Sequence, residues 1–270
     1  MSLQVLISTM YQTDYSLIKK MNIQSDVVVV NQCNKNNFRE FRTDNFKIKW
    51  INSVERGLSR SRNIAIKYAN NDFCLLADDD LEYVKDYESI ILEQFQKYPE
   101  ADVITFKVEG IEKKFKDYHT RSRKLNYLTS MKVASVEIAF RLESIKKAGI
   151  SFNELFGAGA KYLMGEENIF LFECIKCGLN IIYVPVKIAN LHILESTWFK
   201  GYDEEYFRSK GAAFTVMSRL FSFLFVIQFA IRKYKLFKKE TTRLKALKYM
   251  LEGRKQYLEE NKIVDESYTK

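Results

Sequence analysis

Apolar runs that end in polar residues recur through the first part of the chain, and each predicts a buried β-strand. The runs are Leu3–Met10, Ser25–Gln32, Phe46–Asn52, Asp72–Ala77 and Ala101–Gly110. Helix-like segments separate several of them, from Gly57 to Asn71 and from Tyr87 to the residue before Pro99. Strands that alternate with helices in this way are typical of an α/β fold with a largely parallel central sheet.

The pattern beyond Gly110 is less regular. It predicts a strand at Val133–Phe140 that leads into a short helix, and a helix that stops at Gly178. The following apolar stretch predicts strand segments broken at Pro185, because proline cannot donate a hydrogen bond within a sheet. From Trp198 onward the pattern is mostly helical.

The composition fits a globular chain. Hydrophobic residues make up 47% and aromatic residues 14% of the 270 residues, which is enough for a sizeable core. Only two prolines and ten glycines are present, so long flexible linkers are not expected. The four cysteines show no disulfide-rich spacing, and the N-terminus lacks the features of a signal peptide. We therefore expect a cytoplasmic location.

The net charge of +9 is concentrated in one segment. Ten lysines and arginines but only two glutamates lie between Arg232 and Lys255, and the rest of the chain is nearly neutral. An apolar segment, Gly211–Ile231, precedes this basic run. Arg219 near its centre would cost about 2.5–3.5 kcal/mol in a membrane interior, so we expect a helix that packs on the domain or lies in the interface. Residues 211–255 could then bind an anionic membrane surface, peripherally on the inner face of the plasma membrane, or form a solvated helix face.

Polar residues close the predicted strands. Ser8 and Thr9 follow the first strand, Asn31 and Gln32 the second, and the run Asp78–Asp80 the strand that begins at Asp72. The carboxyl ends of parallel strands meet at one edge of a sheet, where ligands collect in α/β folds. We therefore expect these side chains to lie near one another.

The aspartates Asp78, Asp79 and Asp80 suggest a cation site. Asp78 and Asp80 are two residues apart, in an Asp-x-Asp arrangement, and can offer oxygens to one Mn²⁺ or Mg²⁺ ion while Asp79 points elsewhere. One or two carboxylates suffice when phosphate oxygens supply the other ligands. Aspartates that favour the start of a helix are the alternative.

The stretch "ERGLSRSRNIAI", Glu55–Ile66, supplies the other half of the pattern. Arg60 and Arg62 precede the predicted helix, where guanidinium and backbone donors can bind phosphate. A "GLSRSRN" helix start upstream of an aspartate-rich strand end resembles the family 2 glycosyltransferases with the GT-A fold. The resemblance covers Leu3 to His192 and is most specific from Gly57 to Asp80.

The resemblance implies a Rossmann-like domain with a mixed, mostly parallel central sheet, followed by a helical C-terminal extension. Residues 1–200 would form the GT-A domain, with a nucleotide-sugar half at 1–110 and an acceptor half at 111–200, and residues 201–270 the basic extension. The implied donor site comprises Ser8, Thr9, Asn31, Gln32, Arg62, Asn63, Asp78 and Asp79.

The metal and catalytic residues also follow from the resemblance. Asp78, Asp80 and His192 would hold Mn²⁺ or Mg²⁺, although a lone histidine such as His192 is as readily structural. Glu166 and Glu167 match the acidic pair that opens a helix in the acceptor half, and Glu167 would act as the base that deprotonates the acceptor hydroxyl. The alternative is that both glutamates only complement the helix N-terminus.

The sequence therefore predicts a metal-dependent, inverting glycosyltransferase in cell-surface polysaccharide synthesis. Its donor would be a nucleotide-sugar, and its acceptor a saccharide or a lipid-linked saccharide. One alternative is a nucleotidyltransferase acting on sugar phosphates, although the N-terminal stretch lacks the expected glycine-rich phosphate loop. The other is a non-enzymatic basic binding module. No nucleic-acid partner is expected, because no stacking or base-reading motif accompanies the basic run.

Overall fold

The computed structural model describes residues 1–193, 199 and 201–267, with side chains to residue 261. The strands are β1 (Leu3–Met10), β2 (Asp26–Gln32), β3 (Asn37–Arg42), β4 (Lys47–Ser53), β5 (Phe73–Asp78), β6 (Leu81–Tyr83), β7 (Val103–Gly110), β8 (Arg123–Lys124), β9 (Ile138–Arg141) and β10 (Ile181–Leu191). The helices are α1 (Ser16–Lys20), α2 (Leu58–Tyr68), α3 (Tyr87–Lys97), α4 (Tyr127–Ser130), α5 (Leu142–Lys147), α6 (Glu166–Lys176), α7 (Glu204–Met217), α8 (Ser222–Arg232), α9 (Tyr234–Phe237) and α10 (Arg243–Ser267). A 3-10 turn at Ser135–Glu137 precedes β9.

The strands of the described residues form one mixed sheet. Its order is β3-β4-β2-β1-β5-β9-β7-β10-β6, and β8 pairs with β10. The strands β4, β2, β1 and β5 run parallel, whereas β9 is antiparallel to both β5 and β7. The predicted α/β class, with a mixed sheet and a helical C-terminal region, is confirmed.

Both faces of the sheet are covered, which explains the continuous apolar runs of its central strands. Val27 and Val29 of β2 pack into one hydrophobic cluster, and Val28 and Val30 pack into another on the opposite face. All four valines are fully buried. The alternation follows from the two-residue period of a strand.

Two details of the sheet differ from the prediction. The edge strand β3 was not predicted, because its exposed and mainly polar residues carry no hydrophobic alternation. The predicted break at Pro185 is wrong: β10 is continuous, although its pairing with β7 shifts register between Tyr183 and Lys187 and again between Lys187 and Ala189. The strand accommodates proline by skipping ladder hydrogen bonds there.

The start of α2 also differs from the prediction. The helix begins at Leu58, so Arg60 and Arg62 lie within it and do not precede it. Gly57, with φ of 116°, makes the turn into the helix, a conformation that favours glycine. Its amide donates to Gln32 Oε1 at 2.8 Å, which ties the helix start to the end of β2.

The C-terminal helices pack on the domain. The predicted apolar segment Gly211–Ile231 is split between α7 and α8. A Cβ at Gly165, before α6, would lie 2.8 Å from the Cβ of Ala213, so α7 contacts the start of α6 directly. Within the described ranges, no helix combines the length and apolar content needed to cross a membrane. Trp198, where the helical pattern was predicted to begin, lies outside the described residues.

Candidate active site

The sheet register brings the predicted strand-end residues together. Ser8 of β1 pairs with Asp78 of β5, and Thr9 pairs with Asn31 of β2. Thr9 Oγ1 donates a hydrogen bond to Asp79 Oδ2, which directs the Asp79 carboxylate toward β1. Ser8 is buried and accepts a hydrogen bond from the Ser61 hydroxyl at 2.9 Å, which holds α2 against β1.

Asn31 and Gln32, which were predicted for the donor site, bind other protein groups through their side-chain amides. Asn31 Oδ1 accepts from the Gln12 amide, and Asn31 Nδ2 donates to Asn52 Oδ1 at 2.8 Å. Gln32 is buried, and its Oε1 accepts from the Gly57 amide. Both residues therefore shape the strand ends, and a direct contact with the base stays a prediction.

A cavity of about 660 Å³ opens at this edge of the sheet. Aromatic side chains and amides line it, including Tyr11, Tyr15, Asn34, Trp50 and Asn52. Aromatic rings can stack on a nucleobase, and amides can both donate to and accept from its edge. None of these residues was predicted from the sequence. Trp50 and Asn52 could have been, because they lie at the carboxyl end of a predicted strand.

Arg62 links the end of β5 to the start of α6. Its side chain is 1% exposed. Nη2 donates to Asp78 Oδ1 at 3.0 Å, and Nη1 donates to Glu166 Oε1 at 2.9 Å. The guanidinium lies over the Phe152 ring, 5.4 Å from its centroid. Burial lowers the pKa of Arg62, but the nearby carboxylates, chiefly Asp78 and Glu166, outweigh this effect and raise it.

Asn63, which follows Arg62 in α2, contacts the segment after α5. Its Nδ2 donates to the carbonyl of Phe152, and its Oδ1 accepts from the amide of the same residue. The side chain also lies 3.2 Å from Glu154 Oε1. Asn63 thus fixes the segment after α5 against α2, and its role at the donor stays a prediction.

The Asp80 carboxylate is half-buried without full pairing by the protein. Its Oδ1 is buried without a hydrogen-bond partner among the described residues. Burial and the neighbouring charges of Asp78 and Asp79 raise the pKa of Asp80 from 3.8 to about 7. An orphaned carboxylate oxygen beside two further carboxylates fits a hard divalent cation.

His192 supports the run Asp78–Asp80, called the aspartate loop below, mainly through its backbone. Its amide donates to the Asp80 carbonyl at 2.9 Å, and its ring Nδ1 lies 3.1 Å from Glu112 Oε1. Across residues 1–193, 199 and 201–267, no three His, Cys, Asp or Glu side chains are arranged as a complete metal site. A cation bound by Asp78 and Asp80 would therefore need further ligands from its substrate.

The two glutamates that open α6 have different surroundings. Gly165, with φ of 97°, makes the turn before the helix. Glu166 is buried and held by Arg62. Burial and the charge of Glu166 raise the pKa of Glu167, whereas Lys210 of α7 and Arg62 lower it. Glu167 forms no ion pair within the described part of the chain, and it lines a cavity at the start of α6.

Both carboxylate pairs face one cleft. A cavity of about 260 Å³ is lined by Asp78 and Asp80 at the end of β5 and by Glu166 and Glu167 at the start of α6. Ser135 also lines it, 3.5 Å from Asp78 Oδ2. The arrangement places a candidate cation site and a candidate base on one small volume.

The family model for glycosyl transferase family 2 matches residues 8–155. Among solved structures, S. aureus TarS 1–349 in complex with UDP-GlcNAc is 16% identical, with a TM-score of 0.60 over 89% of this chain and 74% of that chain. TarS 1–349 alone is 14% identical, with a TM-score of 0.57 over 96% of this chain and 92% of that chain. A longer S. aureus TarS structure is 15% identical and matches with a TM-score of 0.60 over 88% of this chain and 44% of that chain. At these identities the likeness shows the fold. The comparison with curated proteins finds no match.

Proposed function

Because this chain belongs to glycosyl transferase family 2, we propose that it transfers a sugar from a nucleotide-sugar to a saccharide or lipid-linked acceptor with inversion at the anomeric carbon. The observation that supports the proposal most directly is the shared cleft, where Asp78 and Asp80 face Glu166 and Glu167. A displacement on carbon needs a group that stabilises the leaving diphosphate and a base at the acceptor hydroxyl. The two carboxylate pairs supply candidates for both.

The donor would lie along the carboxyl ends of β1, β2, β4 and β5. The aromatic and amide cavity at Trp50 and Asn52 has the chemistry for the nucleoside, and the aspartate loop lies next to it along β1. The TarS structures that share the fold include complexes with UDP-GlcNAc and with UDP. A uridine nucleotide is accordingly the first donor class to test.

A divalent cation would be held by Asp80 and Asp78, with His192 as a further candidate ligand. Bound there, Mn²⁺ or Mg²⁺ would stabilise the negative charge that develops on the leaving diphosphate. Asp78 Oδ1 also accepts from Arg62 Nη2, which orients this carboxylate. Asp79 is held by Thr9 and therefore supports the loop from the other side.

Glu167 is the better candidate for the base. Glu166 accepts from the buried Arg62 guanidinium, so its Oε1 is already engaged by the protein. Glu167 would accept the proton of the acceptor hydroxyl while that oxygen forms a bond to the anomeric carbon. The bond from this carbon to the diphosphate oxygen breaks on the opposite face, and the nucleoside diphosphate leaves with the electron pair.

We also propose a role at a membrane, in synthesis of a cell-surface polysaccharide. Exposed apolar side chains cluster around the start of α8, at Leu220, Phe221, Phe223 and Leu224. The basic run follows directly, so apolar and cationic groups occur in one segment. Such a segment suits an anionic lipid surface, where a lipid-linked acceptor would be found.

A donor-binding assay tests the proposed function. The full chain is mixed with Mn²⁺ and a panel of nucleotide-sugars, and the melting temperature is recorded for each. We expect one nucleotide class to raise the melting temperature only with the cation, and the matching sugar to be transferred to added saccharides. Release of pyrophosphate from a nucleoside triphosphate and a sugar phosphate, without nucleotide-sugar binding, would instead favour the nucleotidyltransferase alternative.

A further inference from the structure

A third cavity, of about 560 Å³, lies between the acceptor half and the C-terminal helices. It is separate from the cleft: the 3-10 turn Ser135–Glu137 forms a shared wall, with Ser135 on the cleft side and Glu137 on this side. Asn168, next to Glu167 in α6, also lines it. Six cationic side chains face this cavity: Lys116, Arg123, Lys132, Lys210, Arg232 and Lys233.

Most of this positive charge is not neutralised by the protein. Glu137 accepts from Lys116 Nζ and from the Tyr118 hydroxyl, and Asp117 pairs with Lys114. The other five cationic side chains have no ion-pair partner among residues 1–193, 199 and 201–261: Arg123, Lys132, Lys210, Arg232 and Lys233. Cations gathered around one cavity repel one another, and an anion bound there would reduce this repulsion.

Lys210 shows how the protein holds one of these charges. It comes from α7, and its ammonium lies over the rings of Phe214 and Phe229 at 5.8 and 5.6 Å from their centroids. The aromatic faces stabilise the cation without neutralising it. Lys210 also interacts electrostatically with Glu167, so it connects this cavity to the candidate base.

Two residues that line the same cavity each carry a buried polar atom without a partner. Thr105 Oγ1 and Arg123 Nε are buried and have no hydrogen-bond partner in the described structure. Thr105 is fully buried on β7, so its hydroxyl cannot turn to bulk water. Buried polar groups normally find partners, and two unpartnered donors on one cavity indicate that a ligand supplies the acceptor atoms.

We propose that this cavity binds a phosphate group carried by the acceptor. A phosphate ester offers several acceptor oxygens and up to two charges, which matches a guanidinium, several ammonium groups and a hydroxyl better than a single carboxylate does. The volume suits a sugar phosphate. The identification of the phosphate bearer as the acceptor rests on the proposed function, because the adjoining α6 places Glu167 at the acceptor hydroxyl.

The donor diphosphate is a poor occupant for this cavity. None of the strand-end residues predicted for the donor lines it. The donor phosphates would instead lie at the aspartate loop, on the other side of the Ser135–Glu137 turn. The two anion sites are therefore distinguishable by mutation.

The test measures binding of glucose 1-phosphate and of glucose to the full chain by calorimetry, with EDTA and without donor. We expect only the phosphate ester to bind, and Lys132→Gln with Lys233→Gln to raise its Kd at least tenfold. Both lysines are exposed, so the double variant should fold. Arg123→Gln should have a similar effect. The matched control, Lys20→Gln with Lys47→Gln, changes two exposed lysines that do not line the cavity and should leave the Kd unchanged.

Further arms identify the source of the phosphate. Farnesyl phosphate and farnesol replace the sugar pair in detergent, and tighter binding of farnesyl phosphate would place the phosphate in a lipid-linked acceptor. Asp80→Asn should leave phosphate binding intact, which separates this site from the donor site. Equal binding of charged and neutral probes, or a Kd unaffected by the cavity variants, would overturn the proposal.

The same variants separate this inference from the proposed function. With a donor present, the cavity variants should raise KM for a phosphorylated acceptor and not for its neutral counterpart. Phosphate binding at the cavity without binding of any nucleotide-sugar would contradict the proposed function and retain the phosphate site. Sugar transfer with equal KM for charged and neutral acceptors in every variant would contradict the phosphate site and retain the proposed function.

Discussion

At the scale of single residues, Asp80 combines a functional assignment with an expected cost in stability. Its pKa of about 7 in the folded chain lies above the ordinary 3.8, so the folded state binds more protons than the unfolded state between these values. The stability that protonated Asp80 contributes is complete below pH 3.8 and is lost as the pH rises through about 7. The carboxylate is therefore destabilising at neutral pH unless a cation occupies the loop.

We predict that Asp80→Asn raises the melting temperature at pH 8 by at least about 2 °C relative to its effect at pH 4, in buffer with EDTA. Mn²⁺ should stabilise the native chain at pH 8 but not the variant, and sugar transfer should be lost. Asp44→Asn, at an exposed position, serves as the control. A variant that keeps its response to Mn²⁺ would contradict the metal assignment.

Glu166 and Glu167 should separate by readout. We predict that Glu167→Gln lowers kcat about 10²- to 10⁴-fold with little change in melting temperature or donor affinity, because the amide cannot accept the proton. Glu166→Gln should instead lower the melting temperature, because it removes one counter-charge of buried Arg62. If Glu166→Gln instead loses turnover with its stability intact, Glu166 is the base.

The pH dependence of turnover gives a third residue-scale prediction. A base acts only when deprotonated, so a raised pKa of Glu167 means that kcat rises with pH through the neutral range. Glu166 raises this pKa, whereas Lys210 and Arg62 lower it. We expect Lys210→Met to move the midpoint to higher pH. A pH–rate profile of the variant, compared with Lys245→Met on the exposed face of α10, measures the shift.

At the scale of elements, the crossing of α7 and α10 depends on two glycines. A Cβ at Gly211 would overlap the backbone carbonyl of Met250, and one at Gly253 would overlap the carbonyl of Arg208. The helices therefore approach more closely than other residues allow. Through this contact α10 reaches the acceptor half, where Tyr257 lies 5.9 Å from Phe156.

We predict that Gly211→Ala lowers the melting temperature, although glycine to alanine in a helix interior usually stabilises by about 0.5–1 kcal/mol. The new methyl group must displace the backbone of α10. It should also increase protease cleavage in the C-terminal helices. Lys245→Ala on the exposed face of α10 is the control, and an unchanged or raised melting temperature for Gly211→Ala would contradict the close crossing.

At the scale of the whole molecule, the C-terminal helices pack on the rest of the chain and also carry the candidate membrane surface. Lys235, Lys238 and Lys239 are exposed, as are the apolar side chains Phe223 and Leu224 of α8. Truncation of these helices would remove Lys210 and uncover the start of α6, so substitution is the cleaner test.

We predict that replacing Lys235, Lys238 and Lys239 with glutamine weakens binding to anionic vesicles, at about 1 kcal/mol for each charge near the surface. Binding should also fall as salt increases. Transfer to a soluble acceptor should persist. Replacement of Lys19, Lys20 and Lys47 in the nucleotide half should have no such effect. Vesicle binding that ignores both salt and the three substitutions would refute the membrane surface.

The sequence by itself determined the order of strands and helices and the edge of the sheet where polar residues gather. Those features follow from periodicity within a few residues and from the burial of parallel strands on both faces. It failed at β3 and at Pro185, where exposure and a register shift depend on neighbouring strands. It also placed Arg60 and Arg62 before α2, although the helix already contains them.

Only the tertiary structure decided how the charges pair. It placed Arg62 between Asp78 and Glu166, which are 16 and 104 residues away along the chain. It brought Lys210 of α7 near Glu167. It also placed several cationic side chains around one cavity that Lys210 lines. Local patterns carry no record of such pairs, because a buried ion pair is fixed by three-dimensional packing and by the cost of leaving a charge unpartnered.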